Sequence, residues 1–368
     1  IFSYSLKATF SSSSRSSMAD SIPVLPRRDA ETRLPGIFSR DSKSNYILDF
    51  EWIVNKDITL RQRLLDTLRF FFLGSFFDFL RATFVLYGRS IPATIYDARA
   101  FEAEEGLSKA GFFEKHGFVI LDHPVDNMEA SDWEASDRDV NKLLKAYNNR
   151  TVDGGKAYQA IMHDFRNGDT PVKKKYAGSV ESLLRSLIPR AKKIMPPARG
   201  IRRFPTLNPN KGPAKQVHND YGLVFKEVIE RNPFFDFEAQ AAEYEETEAD
   251  EYMLVNLWRP VRPMSEDKPN RSFPLCFMDS STLDKNDFVT IDSRSLGFAT
   301  SLRENPKQKF YYYPDMTINE VVVFKQFHQM QKEETARMPV FHTAFKDPAA
   351  DETTEGRYSF EYRVSLLC

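Results

Sequence analysis

The chain has 368 residues with 51 Lys and Arg against 52 Asp and Glu, a formal net charge of −1. That length can bury one large core, while the balanced charge leaves no basic field to gather nucleic acid or anionic lipid, so small-molecule chemistry is the default reading. Two cysteines, Cys276 and Cys368, exclude a disulfide framework and a cysteine zinc site; a reducing, cytoplasmic setting fits.

Residues 1–45 are polar with scattered Pro and Arg and read as unstructured. Within them, 1–17 are Ser-rich, carry Lys7 and Arg15 and contain no acid. The first methionine is Met18, so these residues read as translated upstream sequence or, alternatively, as an organellar transit peptide. Residues 46–92 read as a helical N-terminal extension. Its FFFLGSFFDFL stretch (70–80) is bounded by Arg69 and Arg81 and interrupted by Asp78, far short of the roughly 20 apolar residues a membrane span needs. Helical spacing of Leu64, Leu68 and Phe79 predicts an amphipathic helix, which could pair copies of the chain through residues 60–90.

From Ala93 the pattern predicts a strand in ATIYDARAF, a helix in EAEEGLSKAGFFEKH stopped by Gly117, and a strand in FVILDH. Helical spacing returns at 131–148 and 178–193, before a loop-like Pro- and Arg-rich connection at 196–213. The acidic FEAQAAEYEETEAD reads as a solvated helix. Beyond Glu251, seven short aromatic and β-branched runs follow: EYMLVNLWRP, FPLCFMD, FATSL, KFYYYPD, VVVFKQF, PVFHTAF and RYSFEYRVSLL. Such runs, separated by turn residues, predict a sandwich or barrel. The fold class expected is α+β, with residues 93–368 as one domain.

Six histidines are present. On a strand, residues i and i+2 point the same way, so His218-Asn219-Asp220 can present an imidazole and a carboxylate together. Two neutral imidazoles and one carboxylate on one face of a metal are the donor set of a non-haem iron(II) site with open positions. About one such triplet is expected by chance in a chain of this composition, so the position of the second imidazole carries the argument. His342 lies in the strand-like PVFHTAF, whereas the competitor His328 sits at a strand end and reads as a structural histidine. One strand further on, Arg357 and Ser359 alternate onto one face, where a guanidinium fork and a hydroxyl could grip a carboxylate. Asn256 and Trp258 share a face of VNLWRP; Asn256 is a candidate cosubstrate or substrate contact, and Trp258 is as readily core.

The segments VHNDY (217–221), VNLWRPV (255–261), FPLCFMDSSTL (273–283), FYYYPDMTINEVVVFK (310–325), FHTAFKDP (341–348) and RYSFEYR (357–363) resemble, in order, those of the asaB-type, CmcJ-like hydroxylase/desaturase family. With weaker similarity back to Ala93, the resemblance spans about three-quarters of the chain; Tyr358 stands where the family usually has Glu. It implies an iron(II)/2-oxoglutarate oxygenase on a double-stranded β-helix (jelly-roll) core with flanking helices. The implied metal ligands are His218, Asp220 and His342, with 2-oxoglutarate on Arg357 and Ser359, O2 as oxidant, and hydroxylation or desaturation of a small, hydrophobic metabolite. Two other readings stay open: a metalloenzyme with the same ligands that does not use 2-oxoglutarate, and a non-catalytic jelly-roll binding protein. Without a basic stripe the 31 Phe do not read as base-stacking residues, and without a Gly-rich strand-to-helix turn no nucleoside cofactor is expected.

Overall fold

The computed structural model of the chain describes residues 27–35, 37, 45–48, 90–137, 142, 146, 155–195, 200–206, 212–221, 237–293, 297–330, 337 and 339–368. Before the β-rich half come β1 (Ala30–Pro35), β2 (Asn45–Leu48), β3 (Ser90–Asp97), α1 (Ala98–Glu105), α2 (Lys109–His116), β4 (Phe118–Asp122), α3 (Ala130–Ala135), α4 (Lys156–Asn167), α5 (Pro171–Lys175), α6 (Ala177–Leu187), β5 (Lys193–Met195), β6 (Ile201–Arg203) and α7 (Phe237–Glu246). The second half is β7 (Glu251–Pro260), β8 (Leu275–Met278), β9 (Phe288–Ser293), β10 (Gly297–Leu302), β11 (Phe310–Tyr312), β12 (Glu320–Met330), β13 (His342–Ala344) and β14 (Ser359–Leu367). Two short 3₁₀ turns, Ser280–Thr282 and Lys285–Asp287, lie between β8 and β9.

The chain is therefore a mixed α+β protein dominated by sheet. One sheet runs β4-β12-β7-β14-β5, with β6 also on β14; a second runs β1-β3-β11-β8-β13; a third runs β10-β9-β2. All ten residues of β7 are buried, as a strand central in its sheet and covered on both faces must be. Its long antiparallel ladder with β14 pairs Pro260 with Ser359, Trp258 with Glu361 and Asn256 with Arg363.

Side-chain alternation then separates two environments. On the outer face, Phe360 meets Trp133 of α3 at a ring distance of 4.8 Å, and Tyr362 meets Tyr176 at 5.4 Å. Valine, leucine and aromatic burial between sheet and helices accounts for this layer. On the inner face, Phe324 of β12 approaches Phe277 of β8 at 5.0 Å and His342 of β13 at 4.8 Å. Asn256, Trp258, Glu361 and Arg363 share that inner face.

All seven strands expected after Glu251 form. Most differences lie upstream, and one, β9, within the C-terminal half. The first strand of the α+β unit begins at Ser90 and ends at Asp97, because the Asp97 carboxylate accepts hydrogen bonds from the N–H groups of Arg99 and Ala100 and so caps α1. Gly106, at φ 62°, closes α1, and Ser108 starts α2, so one expected helix is two. The strands β1 and β2 overturn the unstructured reading of 30–35 and the helical reading of 46–48, since each gains ladder partners, β3 and β9. The loop-like 196–213 contains β6, held by β14, and FVTIDS is an additional strand, β9. The amphipathic helix expected around 60–90 lies outside the described residues.

Gly117 must be glycine for two reasons: its φ is 85°, and a Cβ there would lie 2.6 Å from Val340 Cγ2. Its carbonyl accepts from Lys325 N–H, tying α2 to β12 just behind the strand that carries His342.

Candidate metal centre

His218 and His342 form a single antiparallel bridge, His218 N–H donating to His342 O at 3.1 Å and His342 N–H to His218 O at 3.0 Å. This brings residues far apart in sequence side by side, their rings 4.5 Å apart between centroids. Asn219, fully buried between the two ligand candidates, pins the segment from the opposite side. Its backbone bridges Thr300, its amide donates to Gln326 O, and its side-chain oxygen accepts from Tyr221 N–H. Asp220 is thereby delivered to the inner face.

The nitrogen and carboxylate donor atoms of His218, Asp220 and His342 all lie within 4.8 Å of one another. His218 Nε2 is 3.6 Å from Asp220 Oδ1, and His342 Nε2 is 3.9 Å from Asp220 Oδ2. Bonds of about 2.1 Å at right angles place neighbouring donors about 3 Å apart, so both histidine–carboxylate distances would need to close by less than about 1 Å to complete a facial set. Both histidines turn Nδ1 toward a backbone carbonyl two residues back, Gln216 O at 2.6 Å and Val340 O at 3.5 Å. A proton held on Nδ1 leaves the Nε2 lone pair facing inward, as ligation requires. Burial, aided by His218, pushes His342 down to about 3, so it is the neutral donor at physiological pH. Burial alone would raise Asp220, but Arg363, His218, His342 and Gln326 together hold its carboxyl far below the usual range.

Two partners of Asp220 come from structure rather than from the motif. Gln326 Nε2 donates to Oδ2 at 2.8 Å and Arg363 Nη2 to the same oxygen at 2.9 Å. Gln326 lies two residues beyond Phe324, so alternation along β12 carries it to the same inner face; the β12–β7 register shift between Lys325 and Phe327 then lets Phe327 face inward as well. The Arg363 signal was present in sequence, since it alternates with Arg357, Ser359 and Glu361 along one strand.

Arg357 is buried, donates Nη1 to Phe273 O at 2.7 Å, and lies over the Trp258 ring at 5.5 Å. Among the described residues no carboxylate lies within 4 Å of it, and burial, partly offset by Glu361, pushes its guanidinium down to about 9. Its Nε, Ser359 Oγ, Asn256 Oδ1, Trp258 Nε1, Gln326 Oε1 and Arg363 Nε are buried polar atoms without a hydrogen-bond partner. Buried polar groups are ordinarily satisfied, so this inner surface holds unused hydrogen-bonding capacity on six atoms of neighbouring strands. Tyr358 alternates to the other side, its ring 6.3 Å from Phe204.

The remaining histidines are held elsewhere. His328 Nε2 pairs with Glu251 Oε1, His116 Nδ1 with Asp279 Oδ1 at 3.0 Å, and His123 Nδ1 with Arg259 Nη1 at 3.3 Å; His163 lies on α4.

A sheet-dominated α+β protein with two imidazoles and a carboxylate converging in its interior is the class so defined. Residues 89–367 match the oxidoreductase/YMDC permease-like domain, and the chain belongs to that family. Over 132 residues it is 27% identical to the hydroxylase/desaturase asaB of Aspergillus flavus, a match covering 32% of this chain and 55% of that protein. The chain thus spans about half the length of the curated relative it matches. Among solved structures, the iron and alpha-ketoglutarate-dependent endoperoxidase NvfI, in a form described as having a different conformation, is similar at 16% identity and a TM-score of 0.56. A single-residue variant of NvfI gives 15% and 0.53; each likeness covers 93% of this chain and 98% of the other. Among the described residues no helix is long and apolar enough to cross a membrane.

Proposed function

We propose that this chain is a non-haem iron(II), 2-oxoglutarate-dependent oxygenase whose catalytic domain, residues 93–368, is a double-stranded β-helix. The two larger sheets and the inner-face ligands supply the support for that fold, and β1 and β2 extend it from the N-terminal side. The observation that carries the reading is the pairing of a preformed His218/Asp220/His342 donor set with unpartnered buried Arg357 and Ser359 atoms on the same inner surface.

The residues fit the groups. Two neutral imidazoles and one ionised carboxylate suit iron(II) and leave half of an octahedron for other ligands. Arg357 and Ser359 would take the distal carboxylate of 2-oxoglutarate, giving Arg357 the counter-ion it lacks. Iron(II), O2 and 2-oxoglutarate together would supply a two-electron oxidation of a substrate C–H bond, releasing succinate and carbon dioxide. The chain's own part is positional: Gln326 and Arg363 hold Asp220, the Gln216 and Val340 carbonyls orient the imidazoles, and Phe324 and Trp258 keep the inner surface apolar beside the polar donors. Asn256 Oδ1, buried without a donor, would accept from a cosubstrate or substrate N–H or O–H. The substrate is a small, hydrophobic metabolite, hydroxylated or desaturated.

The test is succinate formation from 2-oxoglutarate by purified protein with iron(II) and air. Wild type is expected to form succinate even without its true substrate, slowly, and Asp220→Ala to form none. Equal succinate from both proteins would refute the proposal.

A further inference from the structure

Asp220 is not a bare carboxylate. Its Oδ2 accepts from both Gln326 and Arg363, and Arg363 Nη2 is also 3.3 Å from Glu361 Oε2, while Arg203 Nε reaches Glu361 Oε1 at 3.1 Å. Arg363 is only 6% exposed, and the Asp220, Glu361 and Arg203 side chains are 21%, 14% and 18% exposed, so solvent screens these charges only in part. The partly buried row reads Arg203, Glu361, Arg363, Asp220: two cations and two anions, summing to zero, with the buried cation Arg357 near Glu361 adding one positive charge. The two histidine ligands add no charge. A divalent metal placed among them would enter a centre with no net negative charge, and its single anionic ligand already faces a guanidinium.

From this row we propose that Arg363 makes retention of the divalent metal depend on the dianionic oxoacid: the metal alone is held weakly, and the oxoacid, by cancelling the metal's two charges, raises its affinity. The inference rests on the iron and 2-oxoglutarate reading above. Gln326 supplies the orienting hydrogen bond without charge, and Arg363 supplies charge as well as orientation. By linkage the metal raises oxoacid affinity by the same factor. The physical benefit is that a redox-active metal is firmly seated only when its cosubstrate is present.

The experiment is calorimetric titration of Mn(II) into the full chain, with and without saturating 2-oxoglutarate. Arg363→Gln keeps a donor and drops the charge, Arg363→Lys keeps the charge, and Glu361→Gln removes the anion that offsets Arg363. Removing a hydrogen-bonding partner of a metal ligand typically lowers metal affinity by about 10- to 100-fold, so a gain on Arg363→Gln is a result that a purely supporting role would not give. In wild type, 2-oxoglutarate should tighten Mn(II) by about tenfold or more. Arg363→Gln should bind Mn(II) alone about tenfold more tightly and lose most of the 2-oxoglutarate effect, Arg363→Lys should behave as wild type, and Glu361→Gln should move the opposite way. Weaker Mn(II) binding by Arg363→Gln with the 2-oxoglutarate effect intact would overturn the proposal. Should that variant not fold, unchanged or tighter Mn(II) binding by Glu361→Gln overturns it alone. Failure of the underlying reading looks different, because wild type itself would then bind no Mn(II) or ignore 2-oxoglutarate.

Discussion

Replacing Arg357 by Met separates ligand recognition from folding. In the folded protein the guanidinium donates to Phe273 O and stacks over Trp258, but among the described residues it has no carboxylate within ion-pair distance. A buried cation without a partner costs stability, while loss of the Phe273 hydrogen bond leaves one carbonyl unpaired at about 1–3 kcal/mol. These oppose, and Met fills much of the same volume, so the net stability change should lie within about 1.5 kcal/mol of zero. Hydrogen bonds to a charged group contribute about 1.5–3 kcal/mol each, so losing a two-pronged grip on a carboxylate should weaken 2-oxoglutarate binding by about 10²–10⁴-fold. Urea unfolding and calorimetric titration of 2-oxoglutarate into Mn(II)-loaded protein measure the two quantities separately. Retained 2-oxoglutarate affinity, together with a loss of more than about 3 kcal/mol in stability, would make Arg357 a structural residue and refute the assignment.

Three further outcomes follow from other parts of the molecule. His123 is pushed down to about 4 by burial and then by Arg259; the unfolded chain takes up a proton near pH 6.5 that the folded chain refuses. Its contribution to stability is therefore complete above pH 6.5 and lost as pH falls toward 4, reaching about 2 kcal/mol at pH 5; in urea melts at pH 7.5 and 5, His123→Gln should show a shallower pH dependence than wild type, and an equal one would contradict this. Gly117→Ala meets both the positive φ and Val340, and should cost about 2–4 kcal/mol by denaturant unfolding; a loss below about 0.5 kcal/mol would show that the contact yields freely. His328→Gln disturbs the pairing with Glu251 and should lower the melting temperature while leaving Mn(II) affinity unchanged; lost metal binding would make His328, not His342, the ligand to reconsider.

How far the site could be read in advance depended on local rules. Alternation on a strand was enough to group His218 with Asp220 and Arg357 with Ser359, because a period of two needs no knowledge of the partner strand. The same rule extended two steps would have added Glu361 and Arg363. The meeting of Gln326 with Asp220 is not legible, since it depends on how β12 and the His218–Asp220 segment, 106 residues apart, are brought together. The same holds for β1 and β2: β1 is a polar, Pro- and Arg-containing segment and β2 only four residues, NYIL, and each is a strand through its ladder partner, β3 or β9, rather than through a pattern of its own. Seven C-terminal strands were clear because each combines β-branched or aromatic density with turn residues at its ends.

The most direct test of the central claim is anaerobic visible absorption of the chain with iron(II) and 2-oxoglutarate, comparing wild type with His342→Ala. A charge-transfer band that needs both additions and vanishes in His342→Ala is the expected result. Iron bound by wild type without any such band, or a band that persists in His342→Ala, would contradict the account.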